Sequence, residues 1–217
     1  MKAAILLALG LSLTPLAAHA QDINFGALEE RANLVTVSTG LEYGFVFGAG
    51  YARALSRDMV LGGDVTLGWA EADLGDFRLR AGGQARLFGR DRWHLIGGLA
   101  ATVRGTRNDI SQMINIGTDA VVLAGYYAPH WFVAGELGFD WALATHVTHD
   151  EDYRMAVYAD ARDGWYGNAG GNLRYGLQGG VSLSRYDVIL RAGRLLDVSG
   201  NAPMMPIYGT LSVGARF

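Results

Sequence analysis

The chain is 217 residues long, half of them hydrophobic, with 31 glycines, no cysteine and a formal net charge of −3 at pH 7. The length suits one domain, the lack of cysteine excludes a disulfide framework, and with Lys2 the only lysine no basic face of the kind nucleic acid requires is visible. No stretch reaches 18 uninterrupted apolar residues, which excludes a helical membrane span, and glycine at this frequency argues against helices, each interior glycine costing about 1 kcal/mol relative to alanine.

Met1 and Lys2 make a short positive start, residues 3–13 are an apolar run, Pro15 breaks it, and Ala18-His19-Ala20 fits a small-residue cleavage site. The pattern reads as a secretory signal peptide over residues 1–20, because the run is too short for the roughly 20 apolar residues of a transmembrane helix. The folded domain is then expected over residues 21–217. An exported domain without disulfides needs another source of rigidity, and a closed ladder of strands, which has no unpaired edge, is a sufficient one.

From residue 34 onward apolar and polar residues alternate with the period of two that a strand imposes. The expected strands cover residues 34–39, 45–55, 59–70, 77–88, 93–104, 116–128, 131–143, 173–184, 186–196 and 207–217. Connections at 56–58, 89–92, 129–130 and Arg185 are short; those at 71–76, 105–115, 144–172 and 197–206 are longer. Short turns at one end and long loops at the other are the habit of outer-membrane barrels. Placing both termini at the short-turn end requires an even strand count. Ten is expected, with eight as the alternative if an early hairpin is not formed.

Residues 77–88 show what the two faces are for. Phe77, Leu79, Ala81, Ala85 and Leu87 lie on one, Arg78, Arg80, Gln84 and Arg86 on the other. A soluble β-sandwich would have to expose one of them, whereas lipid outside and a polar lumen inside accept both. The expected fold is therefore all-β, a closed antiparallel up-and-down transmembrane β-barrel. The same parity turns Asp64, Arg104, Asp119, Glu136, Asp140, Asp187, Arg174, Arg191 and Arg216 into the lumen. Barrels of about eight strands have room inside for side chains or one small ligand. Either these groups fill the interior as bidentate Arg–carboxylate pairs, or they line a narrow pore for small solutes.

The last ten residues, YGTLSVGARF, alternate Leu211, Val213 and Ala215 with Thr210, Ser212, Gly214 and Arg216 and stop on Phe217. Tyr51, Trp93, Trp131, Tyr186 and Phe217 fall at the short-turn ends of strands, and Trp69, Phe77, Phe139 and Trp141 at the loop ends, as two interfacial girdles would have it. With the signal peptide and the strand pattern, this resembles the small bacterial outer-membrane barrels of the OmpA/OmpX-like kind, without the periplasmic peptidoglycan-binding domain that some carry. The resemblance implies a Gram-negative outer membrane and contact with its lipid and lipopolysaccharide. It also implies delivery by the barrel assembly machinery, which would read Phe217 as part of its address, and a monomeric barrel.

Chemistry is thinly signalled. His146, His149, Asp150 and Asp152 are the only cluster with metal-ligating types, but their spacing completes no metal motif, and an acidic solvated loop accounts for them. The enzymes of the outer-membrane barrel class are matched poorly. The lipid A deacylases use a histidine and a serine near the carboxy-terminal strands, and no histidine follows His149. The omptin proteases use an Asp-His pair at the rim, whereas His149-Asp150 has the reverse order, and the phospholipases need a serine with a histidine partner, which Ser111 and Ser199 lack on their own strands. No cofactor and no catalysis are expected. The leading expectation is a structural or surface-interaction barrel that acts through its outer loops, chiefly 144–172. A narrow pore is one alternative and a rim enzyme or metal-binding barrel another.

Overall fold

The computed structural model describes residues 22–42, 44–68, 76–158, 160–198 and 206–217. The signal-peptide reading of 1–20, the girdle residue Trp69 and most of the connections 71–76 and 197–206 fall outside them. Ten strands make one closed antiparallel barrel in which each pairs with its sequence neighbours and the first with the last. They are β1 (Asn33–Leu41), β2 (Phe45–Ser56), β3 (Met59–Gly68), β4 (Phe77–Arg90), β5 (Trp93–Arg107), β6 (Ser111–Tyr127), β7 (Trp131–His149), β8 (Gly164–Leu183), β9 (Tyr186–Asp197) and β10 (Ile207–Arg216). The short connections cluster at one end, where Asp91 takes a left-handed φ of 56° that a short polar side chain tolerates.

The seam is complete. Leu34 to Leu41 pair with Arg216 to Gly209, and beyond them Asn33 and Phe217 exchange both backbone hydrogen bonds at 2.8 and 3.0 Å. Phe217 thus supplies the last rung of the closure with its backbone, while its ring is exposed at the short-turn rim beside the level of Trp93, Trp131 and Tyr186. Two neighbours there stack, Tyr126 on Trp131 with ring centroids 5.2 Å apart. Phe139 and Trp141 meet edge to face at the other rim.

Two expected loops are mostly strand. β5 runs to Arg107 and β6 begins at Ser111, and the Asn108 carboxamide oxygen closes the turn by accepting from the amides of Ile110 and Ser111 at 2.9 Å. In the stretch 144–172, β7 continues to His149, a short helix α1 (Glu151–Ala156) follows, and β8 starts at Gly164. Asp150 is the N-cap of α1, its carboxylate accepting from the Asp152 amide at 2.9 Å. The sequence pattern breaks at Leu143 because that residue bulges out of register against β6: Ile116 pairs with Ala144 and Gly117 with Ala142. A bulge switches the parity of everything beyond it. Since about 9–11 tilted residues cross a membrane, the 17, 19 and 20 residues of β6, β7 and β8 leave a wall standing well above the loop-end rim.

A second bulge turns Phe88 outward against the alternation. Arg86 pairs with Ile96 and Phe88 with Leu95, so Leu87 is supernumerary, and Leu87 and Phe88 both face outward. The lumen is also not polar throughout. At its short-turn end Ala52, Val60, Ile96, Leu123, Phe132 and Ile189 form an apolar floor, packed with Ile23 and Phe25 from the segment that precedes β1.

Because Phe217 closes the seam, its deletion should lower the folded fraction, read as loss of the compact, heat-modifiable gel band, and should lower recovery in the outer-membrane fraction of expressing cells. Unchanged recovery would contradict both the seam argument and the address reading.

Candidate functional site in the lumen

Strand parity and register together decide which charged groups meet. Asp64 on β3 is directly opposite Arg80 on β4, and Asp119 on β6 is opposite Asp140 on β7. Like charges side by side need cations from elsewhere, and long arginines reach across the lumen to supply them. Arg80 Nε donates to both Asp64 oxygens at 2.9 and 3.1 Å, and its Nη1 donates to Asp119 Oδ2 at 3.2 Å. Arg174 donates to Asp119 from Nη1 at 3.1 Å and Nη2 at 2.6 Å, and to Glu136 from Nε at 2.8 Å. Arg191 completes Glu136 with contacts of 3.0 and 2.5 Å and lies 3.6 Å from Asp22.

The result is one connected chain across the interior, Asp64–Arg80–Asp119–Arg174–Glu136–Arg191–Asp22. Each of these side chains is 6 % exposed or less. Room for it comes from the small residues of the facing strands: a β-carbon at Gly138 would fall 2.5 Å from Arg174 Nε. Buried charges are tolerated only when paired in this way.

The remaining expected lumen residues lie toward the ends. Near the loop end Arg78 holds Glu42 bidentately at 2.6 and 2.7 Å, and Arg104, about a quarter exposed, pairs with Asp140. Above them open two adjoining clefts of about 440 and 470 Å³ that share Arg104, Thr106 and Asn172. At the short-turn end Arg216 meets Asp187 at 3.0 Å. Arg86 keeps lumen parity, opposite the buried Ile96, and at the short-turn end it pairs with Asp58 and lies 3.1 Å from His94 Nε2. Gln84 is buried and makes no hydrogen bond among the described residues.

Two members of the network escaped sequence reading. Glu42 lay in an expected tight connection, yet the parity of Leu34, Thr36 and Ser38, continued to Gly40 and Glu42, points it inward. Asp22 precedes every strand and carries no periodic signal.

The metal candidates are dispersed. His146 packs edge to face on Trp165 at 5.1 Å, while His149 Nδ1 lies 3.0 Å from Asp163 Oδ1 and its ring stacks on Tyr153. Asp150 caps α1. Arg154 and the His149 contacts hold the Asp163 carboxyl well below its ordinary range. Among the described residues no three potential ligands converge. The tip of this hairpin exposes Met155, Val157, Tyr158, Trp165 and Tyr166.

No protein-family model matches the chain, and no curated protein does. Among solved structures it is similar to the N-terminal β-barrel domain of Pseudomonas aeruginosa OprF, with 13% identity over 88% of this chain and all of that domain and a TM-score of 0.40.

Removing Arg174 leaves Asp119 with Arg80 alone and Glu136 with Arg191 alone, so the buried interior gains one uncompensated negative charge. Arg174→Ala should therefore lower unfolding free energy by about 3–5 kcal/mol, whereas Arg86→Ala at the rim should cost less than about 1 kcal/mol. Urea titration of the folded protein in lipid vesicles, followed by tryptophan fluorescence, reads both. Equal effects would mean that the lumen pairs do not carry the interior.

Proposed function

We propose that the protein is a small outer-membrane barrel of a Gram-negative cell whose interior is sealed by its own arginine–carboxylate pairs and whose role is structural or adhesive, exercised by the wall of β6–β8. One observation carries the reading: the paired charges run without interruption from β3 to the segment before β1, inside strands whose other face is apolar. A water path would have to break those pairs. With both termini at the short-turn end, exported after signal-peptide removal, the long hairpins face the exterior. Their exposed Trp165, Tyr166 and Tyr158 offer a contact surface of the amphipathic aromatic type that recognition surfaces favour. Outer-membrane lipid and lipopolysaccharide would surround a monomeric barrel, and the assembly machinery would engage β10.

A narrow pore is the second reading, favoured by the clefts that descend from the loop end to Arg78 and Arg104. Single-channel recording of the refolded mature protein in a planar bilayer, beside Arg80→Ala, separates the two. The sealed barrel should be silent as wild type and leaky as the variant. Steady conductance steps from the wild type would replace the sealed-barrel reading with the pore.

A further inference from the structure

Residues 22–28 run inside the short-turn end of the barrel. Asp22, Ile23, Asn24 and Phe25 are only 2–3 % exposed. The Asp22 carboxylate accepts from the Ser212 hydroxyl and lies 3.6 Å from Arg191 Nε. Asn24 Nδ2 donates to the Ala128 carbonyl at 3.0 Å and to Ser182 Oγ at 2.9 Å. The Phe25 ring meets Tyr127 edge to face at 6.5 Å, and Tyr127 is itself sandwiched between His94 and Phe132 at 5.3 and 5.1 Å. Gly26 passes the wall so closely that a β-carbon would lie 2.6 Å from the Tyr127 carbonyl oxygen, and Arg216 takes the Ala27 carbonyl. From Glu29 the chain is exposed and turns into β1.

Every one of these partners belongs to the barrel wall. The wall offers a cation and a hydroxyl deepest, then a hydroxyl and a backbone carbonyl, then an aromatic face near the mouth. That order is complementary to an acidic residue, an amide and an aromatic ring in sequence, as Asp22, Asn24 and Phe25 present them. We propose that the short-turn end of the lumen is a peptide-binding site, filled in cis by the segment 22–28, and that the segment seats only after the chain is cut just before it.

The dependence on cleavage follows from direction. Going from Glu29 back to Asp22 the chain moves inward, and the next Cα lies 3.8 Å from that of a buried residue. Ahead of it stand the Arg191–Glu136 and Glu136–Arg174 pairs, so a longer chain would have to break them or double back to the mouth past the seated segment. Cleavage after Ala20 also creates an α-amino group one residue from Asp22. Along the connected chain, carboxylates from Asp64 to Asp22 outnumber guanidiniums by one, so a cation is welcome at that end.

The chain has no cysteine of its own, so an Asn24→Cys/Ser182→Cys pair reports seating. In the isolated mature protein it should form a disulfide, seen as a gel shift lost on reduction. The same pair in a chain whose cleavage is blocked by Ala18→Arg and Ala20→Arg should stay reduced. Since a blocked chain can fail to fold, a second measurement uses the full mature protein carrying Asp22→Asn and Phe25→Ala, whose own segment is held more weakly. This protein should bind a fluorescent peptide of the sequence QDINFGAL saturably, and peptides carrying Asp22→Asn or Phe25→Ala about tenfold more weakly. No disulfide in the mature protein, or equal binding of a scrambled peptide, would overturn the site. A disulfide in the uncleaved chain would overturn the cleavage dependence. Neither readout requires or excludes conductance, so the site stands or falls separately from the sealed-barrel reading.

Discussion

Everything in this fold depends on the backbone hydrogen bonds between β1 and β10. Lipid offers no partner for an unpaired amide or carbonyl, so a sheet in a membrane must close on itself. Here closure is carried to the last residue, with Asn33 and Phe217 exchanging both bonds past the end of the regular ladder. Once the ring is shut, every strand has a lipid side and a lumen side, and the identity of each side chain is constrained by its parity alone. The apolar exterior follows from this, and so does the burial of side chains that no soluble fold would turn together.

A closed ring of ten strands leaves an interior that must be filled. Large apolar groups fill the short-turn end, where Ile96, Leu123, Phe132 and Ile189 meet the incoming Ile23 and Phe25. Charges fill the middle. Asp119 and Asp140 are cross-strand neighbours, an arrangement that costs stability unless cations intervene, and Arg174, Arg80 and Arg104 supply them from other strands. Arginine suits this task because its planar fork serves two carboxylates at once. Arg174 does so between Asp119 and Glu136, and Arg191 between Glu136 and Asp22. The interior is thus tied to the segment before β1 by the same kind of contact that ties its strands together.

Beyond the membrane the constraints relax, and the strands respond. β6, β7 and β8 outlast the bilayer, the bulge at Leu143 breaks their alternation, and α1 closes the hairpin. The tip of that hairpin exposes Tyr158, Trp165 and Tyr166. The opposite end is tidier: tight turns, an aromatic rim and a lumen occupied by the chain itself.

Strand count, order and facing were legible from the sequence because a period of two, once anchored to lipid outside, leaves little choice; even the ten ranges agree with the strands to within a few residues over most of the barrel. Legibility ended at bulges. Leu87 and Leu143 each add a residue to one strand, which a linear pattern registers only as noise, so Phe88 faces outward against the alternation and β7 runs past its expected end. Parity names the residues that face inward but not their partners. Which carboxylate each arginine meets is set by register and by reach across the lumen, and Glu42 came into view only when β1 was followed past its expected end. Asp22 is the limiting case. Nothing periodic marks residues 22–28, and their place is decided by a recess that exists only after ten separate strands have closed around it. The sequence by itself determined a barrel and its two faces, since those follow from local alternation and the solvent on each side. The tertiary structure alone decided which charges pair and what occupies the mouth, since those depend on contacts between residues as far apart as Asp22 and Ser212.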